Sequence, residues 1–390
     1  MERQQNVTIP KSKTRVLFID LLRGWGVAVM IEAHIFNGLF DSSLRATTFF
    51  KILDLLNGFI APAFLFASGL AFAVTSERKF PDYLAFRMSL FRQIGRLLFI
   101  LGLAYALHLP FFSFRKLVHE ASPDEWRSFL RVDILHCIVM SLLILIVLLL
   151  IVRTEKRLFW TIVGLASAVV LSTPLVWDIE FSKVLPLPLA DYLNVKTSSI
   201  FPLFPWAGFL WFGSVVGFLY VSSLQQGNER MFFTRLLIAA GALILGGLLF
   251  DNLPIQVYPH YDFWHTSPNW FAIRLGVVML FCGSLWLLEH HAHYKSWMMA
   301  KLGQESLFVY ASHLPVVYGS AVNAHTNFTM RFGQTLSALQ CFALFFVLLL
   351  AVYFPAFVWN RIKKDYKPWS KLITVVAVAV FLYFFFTREY

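Results

Sequence analysis

The chain is 390 residues long, 58% hydrophobic, 17% aromatic and only 14% charged, with a mean hydropathy of +0.66. Soluble domains are about a quarter charged, so a soluble fold is excluded, and long runs without a polar face indicate an all-α polytopic membrane protein. A net charge of +11 raises nucleic acid as a partner, but the Lys and Arg residues sit mostly in short loops between apolar runs and read as topology signals instead.

Apolar segments of spanning length fall at 16–40, 48–75, 89–110, 133–152, 158–177, 200–222, 232–250, 270–289, 302–322, 336–359 and 371–387, eleven in all. The first follows a polar, basic stretch and is too long for a signal-peptide core. No cleavage signal follows it, so it is expected to be retained. Basic residues cluster after the even-numbered segments, for example Arg78, Lys79, Arg87 and Arg92 after the second and Arg361, Lys363, Lys364 and Lys367 after the tenth. That alternation predicts a cytoplasmic N-terminus, an extracytoplasmic C-terminus and His34 in the outer half of the first helix. No linker or soluble domain is evident, so residues 1–390 are expected to form one transmembrane domain around a polar central cavity. Pro62, Pro202, Pro205, Pro315 and Pro355 are expected to interrupt helices, which is tolerated where freed backbone groups meet protein or a cavity.

The first segment carries Asp20, Arg23, Glu32 and His34. A charge at mid-membrane costs about 3 kcal/mol, so this helix is expected to face protein or a wet cavity. Arg23 and His34 share one face about 16 Å apart, a span from a binding group to a reacting group. His34 alone also reads as a structural histidine; as a functional one it takes a proton from a hydroxyl or amine. Glu32 faces another side, whereas Asn37, one turn further out, is placed to orient the ring.

In the second segment Asp54 is an intramembrane acid without a local partner, assigned to the cavity. Ser68 and Gly69 close a small-residue stretch that tight packing alone explains. Arg87, Arg92 and Arg96 at the start of the third segment fit positive-inside bias or an anion site, since guanidinium forks match phosphate oxygens. Asp133 and His136 open the fourth segment on one helix face. Trp206 follows two prolines at the start of the sixth, suiting a cavity mouth or an interfacial aromatic belt.

The outer loop 251–269 holds Asp251, Tyr258, His260, Tyr261, Asp262, Trp264 and His265. Aromatic faces with carboxylates suit a sugar, and interfacial anchoring explains them equally. The run His290, His291 and His293 reads as a solvated boundary; no metal site is expected. Cys137, Cys282 and Cys341 are scattered in apolar surroundings and form neither a disulfide framework nor a zinc set. In the ninth segment His313 stands with Tyr310 one turn and Glu305 two turns below it, and Pro315 is expected to break the helix just beyond.

Taken in order, Asp20-Leu21-Leu22-Arg23-Gly24 with His34, the stretch Phe64 to Gly69, Arg92 with Arg96, Pro202 to Trp206, and Leu302-Gly303 through Tyr310 to His313 and Pro315 resemble the transmembrane acyltransferase superfamily. One similar branch is the catalytic-domain family of heparan-α-glucosaminide N-acetyltransferase, and the other is the acyltransferase-3 family of sugar O-acetylases. The first branch places its active histidine in the loop after helix 1, and residues 41–53 here contain none. The 11-residue spacing of Arg23 and His34 looks like the second branch, leaving amine and hydroxyl acceptors both open.

The resemblance implies transfer of an acetyl or short acyl group from cytoplasmic acetyl-CoA or another acyl-CoA to an extracytoplasmic sugar or glycan. His34 would be base or nucleophile, with Asn37, Ser68 or His313 meeting the oxyanion. Arg23, Arg87, Arg92 and Arg96 would hold the donor, and Asp20 would balance Arg23. Membrane lipid is an expected partner, a bacterial cytoplasmic membrane the expected residence, and a homodimer is left open. The rival readings are a transporter of a small solute or ion and a non-enzymatic membrane scaffold.

Overall fold

The computed structural model describes residues 16–254, 257–258, 261–291 and 297–388. The basic N-terminal stretch, His260 and His293 lie outside them. The described residues form helices α1 (Leu17–Leu39), α2 (Thr48–Asn57), α3 (Ile60–Glu77), α4 (Met88–Leu107), α5 (Ile134–Val152), α6 (Glu155–Val176) and α7 (Leu203–Gln225). They continue through α8 (Glu229–Asp251), α9 (Pro268–His291), α10 (Trp297–Gln304), α11 (Ser306–Tyr318), α12 (Ala338–Asp365) and α13 (Lys367–Thr387). Among them there is no strand, only an isolated bridge between Phe40 and Leu336.

Nine helical stretches among the described residues are long and apolar enough to cross a membrane, α2 and α3 counting as one, Thr48–Glu77. The other two expected segments are α1, which carries Asp20, Arg23 and Glu32, and the pair α10–α11. The ninth segment breaks at Glu305, not at Pro315. Pro315 lies inside α11 and Pro355 inside α12. A transmembrane helix tolerates a proline where protein surrounds it, and the C-terminal end of this helix is satisfied at the Pro315 carbonyl, which accepts from the Gly319 amide at 2.9 Å and from Asn323 Nδ2 at 2.7 Å. At Glu305 the backbone leaves helical geometry (φ −107°, ψ 22°), where its carboxylate is bound by α12.

Two backbone-to-backbone contacts fix the centre. A Cβ on Gly24 would lie 1.8 Å from the Met299 carbonyl oxygen, and one on Gly303 1.9 Å from that of Asp20. Only glycine at both positions allows α1 and α10 to touch this closely. Gly69 and Gly213 do the same for α3 and α7, with added Cβ atoms 1.8 Å from the Leu210 oxygen and 2.2 Å from the Phe66 oxygen. Held by these contacts, α1 runs through the interior with Asp20 and Glu32 buried. At the periphery α13 buries no residue, as suits a lipid-facing helix.

Candidate active site

A cavity of about 500 Å³ opens along the inner face of α1, between it and α3, α4, α5 and α11. Its wall changes character along its length. At one end stand Arg78, Lys79, Gln93 and Arg96. Midway come Asp20, Arg23, Ser68 and Ser306, separated by apolar side chains such as Phe64, Leu97, Ile100 and Ile138. The far end is walled by Met30, Ile134 and Tyr310. A cationic mouth, a middle stretch that mixes polar and apolar side chains, and a mostly apolar far end thus follow one another.

Arg23 Nη2 donates to Ser306 Oγ at 2.6 Å, tying α1 to the first residue of α11. Asp20 accepts from Gln304 Nε2 at 3.1 Å. Ser68 donates its hydroxyl proton to the Phe64 carbonyl at 2.8 Å.

Beyond the far end two imidazoles meet. His34 stands one turn past Met30, and its ring lies 5.4 Å from that of His313, tilted by 36°. His313 is fully buried, and its Nδ1 lies 2.7 Å from the Val309 carbonyl oxygen. A carbonyl only accepts, so Nδ1 carries the proton and Nε2 holds a free lone pair. That Nε2 is buried without a partner. His34 Nδ1 lies 3.2 Å from the Tyr318 hydroxyl, which also reaches the His34 carbonyl oxygen at 3.2 Å.

Tyr310, 5.9 Å from His313 by ring centroids, donates its hydroxyl to Asp133. Asp133 caps α5: its carboxylate accepts from the Ile134 amide at 2.6 Å, and its own amide donates to His136 Nδ1 at 3.2 Å. His136 therefore carries its proton on Nε2, buried and without an acceptor, with the edge of Tyr105 at 4.4 Å between centroids.

Of the residues singled out from sequence, Asp20, Arg23, Ser68, Arg96 and Tyr310 share the cavity wall, with His34, His313 and Asp133 within one turn of it or bonded to it. Others stand apart. Asn37 is exposed and its carbonyl accepts from Arg45; the partner of His34 is Tyr318. Asp54 lies on the exposed face of α2, outside the cavity wall. Arg87 pairs with Asp82 at 2.9 Å and Arg92 caps the Met88 carbonyl at 3.1 Å, both exposed. Glu305 is buried in an ion pair with Lys363 at 2.5 Å. Trp206 packs on Phe201, 4.8 Å between centroids.

The oxyanion donors suggested by sequence are differently engaged. The Ser68 proton is spent on its own helix, Asn37 is exposed with its carbonyl bonded by Arg45, and His313 in the tautomer set by Val309 has no second N–H to offer. Sequence reading missed Tyr318, which sits past the proline expected to end the helix, and Ser306, hidden beside the break at Glu305.

In the outer loop the acids are also engaged. His265 bonds Asp262 at 2.6 Å, and Tyr261 donates to Asp251. Partial burial works against Asp262, but the His265 ring and the Trp264 amide more than offset it and hold the carboxyl below its usual value. Burial, then the bond to Asp251, pushes the Tyr261 hydroxyl up.

A helical membrane bundle with a charged-to-apolar cavity, and paired imidazoles one turn beyond its far end, has the build of an integral-membrane enzyme. Residues 15–247 match the family described as heparan-alpha-glucosaminide N-acetyltransferase, catalytic. The match covers more than half of the 390 residues, and the chain belongs to that family of membrane acetyltransferases. No curated protein matches the chain. The matched region contains α1 to α7 and most of α8, so His313 and Tyr310 stand outside it.

Proposed function

We propose that this protein transfers an acetyl or short acyl group from acyl-CoA to a hydroxyl or amine of an extracytoplasmic sugar or glycan, with His313 as the proton acceptor. The observation that carries the reading is the unpartnered Nε2 of His313, its tautomer set by the Val309 carbonyl. A base needs its lone pair free and its ring held still, and this ring has both. His34, in contact with it, is the second candidate for the same role. Its ring lies against that of His313 and its Nδ1 against the Tyr318 hydroxyl, which suits it to orient the acceptor or to relay the proton.

The cavity fits the donor. Arg78, Lys79 and Arg96 at the mouth suit phosphates, through guanidinium forks and a lysine point charge. The apolar side chains of the middle stretch suit a pantetheine arm, and the Arg23–Ser306 pair stands beside them where a thioester-bearing arm would pass. Acyl-CoA supplies an acyl group activated as a thioester. His313 Nε2 takes the acceptor proton as the new bond to the acyl carbon forms, and returns it to the departing thiolate sulfur. Closure by apolar side chains excludes water, which would otherwise hydrolyse the donor.

The test uses the full chain in membranes with radiolabelled acetyl-CoA and a sugar acceptor. His313→Ala is expected to abolish labelling, and His34→Ala to reduce it strongly. Full labelling with both substituted would refute the reading. Solute uptake by reconstituted vesicles with no acyl-CoA consumed would favour the transporter.

A further inference from the structure

The far end of the cavity is closed by one side chain from each of the helices around it. Met30 of α1, Phe64 of α3, Ile100 of α4, Ile134 of α5 and Tyr310 of α11 are each the last lining residue of their helix, counted from the cationic mouth. Met30 is 7% exposed, and Ile134 and Tyr310 are 6% exposed. The imidazoles lie beyond this layer, His34 one turn of α1 past Met30 and His313 three residues past Tyr310. The layer therefore stands between the space for a donor and the groups assigned to proton transfer.

Four of these walls are fixed by something other than the cavity. The Tyr310 hydroxyl is bonded to Asp133, and the same carboxylate accepts from the Ile134 amide at 2.6 Å, so one acid holds two walls. Ile100 and Ile134 are β-branched and stiff at χ1. Phe64 lies against α1 where that helix has no side chain: a Cβ added to Gly26 would stand 3.0 Å from its ring. Met30 has no polar group to tie down. An unbranched thioether fills whatever space its neighbours leave, so the volume of this one side chain decides how deep the cavity runs.

We infer that Met30 is the end stop of the donor cavity and sets the length of the acyl group, excluding butyryl and longer chains. The inference rests on the acyl-transfer reading. With phosphates at Arg78, Lys79 and Arg96 and the arm along the middle stretch, the acyl carbons are the atoms that meet this layer. A surplus methylene against a closed apolar wall costs about tenfold or more in discrimination. Tyr310 and Ile134 cannot give way without disturbing their bonds to Asp133. Met30→Ala removes the γ-carbon, the sulfur and the methyl, roughly the bulk by which butyryl exceeds acetyl, and breaks no bond.

The full chain in phosphatidylcholine nanodiscs, without acceptor, is titrated calorimetrically with S-ethyl-CoA and S-butyl-CoA. These thioethers match acetyl and butyryl donors in chain length and cannot give up an acyl group. The S-butyl compound is expected to bind at least about tenfold more weakly. Met30→Ala should bring the two dissociation constants together, and Met30→Leu, of similar volume, should keep them apart. Equal or tighter binding of S-butyl-CoA by the unaltered chain overturns the inference, even if the variants fail to fold. So does a difference that persists unchanged in Met30→Ala, which would put the stop at another wall. A difference that vanishes in Met30→Leu overturns it too, because volume would not be the cause. A chain that binds neither thioether nor CoA itself sinks the transfer reading along with the inference, whereas equal binding of the two thioethers leaves the donor site standing and removes only the length limit.

Discussion

The two halves of the ninth segment treat their polar groups in opposite ways. Around Glu305, where α10 meets α11, the polar side chains are tied to one another by hydrogen bonds. Lys363 and Asn360 each take one Glu305 oxygen, at 2.5 and 2.7 Å. Asn360 also donates to Gln304 at 3.2 Å and accepts from Lys301 at 2.7 Å, and Gln304 donates to Asp20. Two turns further on, His313 keeps a buried nitrogen with no partner. An orphaned buried polar atom costs about 1–3 kcal/mol. The first set holds α1, α10, α11 and α12 together; the bare nitrogen is the one to which the proposed function gives the proton transfer.

That contrast is broken most directly at His313. His313→Ala should lower kcat by about 10²–10⁴-fold, the usual worth of a positioned base. Midpoint temperature in detergent should fall little, because the side chain's bond is to its own helix. A large loss of stability with turnover retained would reverse the roles assigned to the two regions.

Lys363→Met is the converse. It leaves the buried Glu305 carboxylate, 3% exposed, with Asn360 alone. Removing one partner of a buried pair is costly, here about 3 kcal/mol, because Lys363 itself is partly solvated. Thermal unfolding in detergent should show the loss, while kcat of the folded fraction stays near that of the unaltered chain. Unchanged stability would mean that the Glu305 cluster is not structural.

The sequence was legible where physics is local. Each of the eleven apolar segments corresponds to helix, and the ionisable face of α1 does turn inward at Asp20. What required coordinates was pairing between distant segments. Lys363 reads in the sequence as one more basic residue after an apolar run, and Glu305 as a neighbour of Tyr310; nothing local joins them. The break at Glu305 is hidden because hydropathy continues through it, whereas Pro315 advertises a break that the helix absorbs. Tyr318 was missed for that reason.

The arginines near the cavity mouth sharpen the same distinction. By sequence Arg87, Arg92 and Arg96 are equivalent; in the fold only Arg96 joins the cavity wall. Arg96→Ala should raise KM for acyl-CoA by about tenfold, one charge-assisted contact, with kcat little altered. Arg87→Ala should change neither constant. Its bond to Asp82 is made with a side chain 71% exposed, and such pairs contribute at most about 1 kcal/mol. Arg92, engaged by the Met88 carbonyl at the same exposed end of α4, belongs with Arg87. If the three substitutions raised KM alike, the donor would be held by diffuse positive charge rather than by the wall that Arg96 shares with Arg78 and Lys79. The salt dependence of KM separates the two cases: diffuse charge is screened over a Debye length of about 10 Å at 0.1 M salt, whereas a direct contact at the mouth persists.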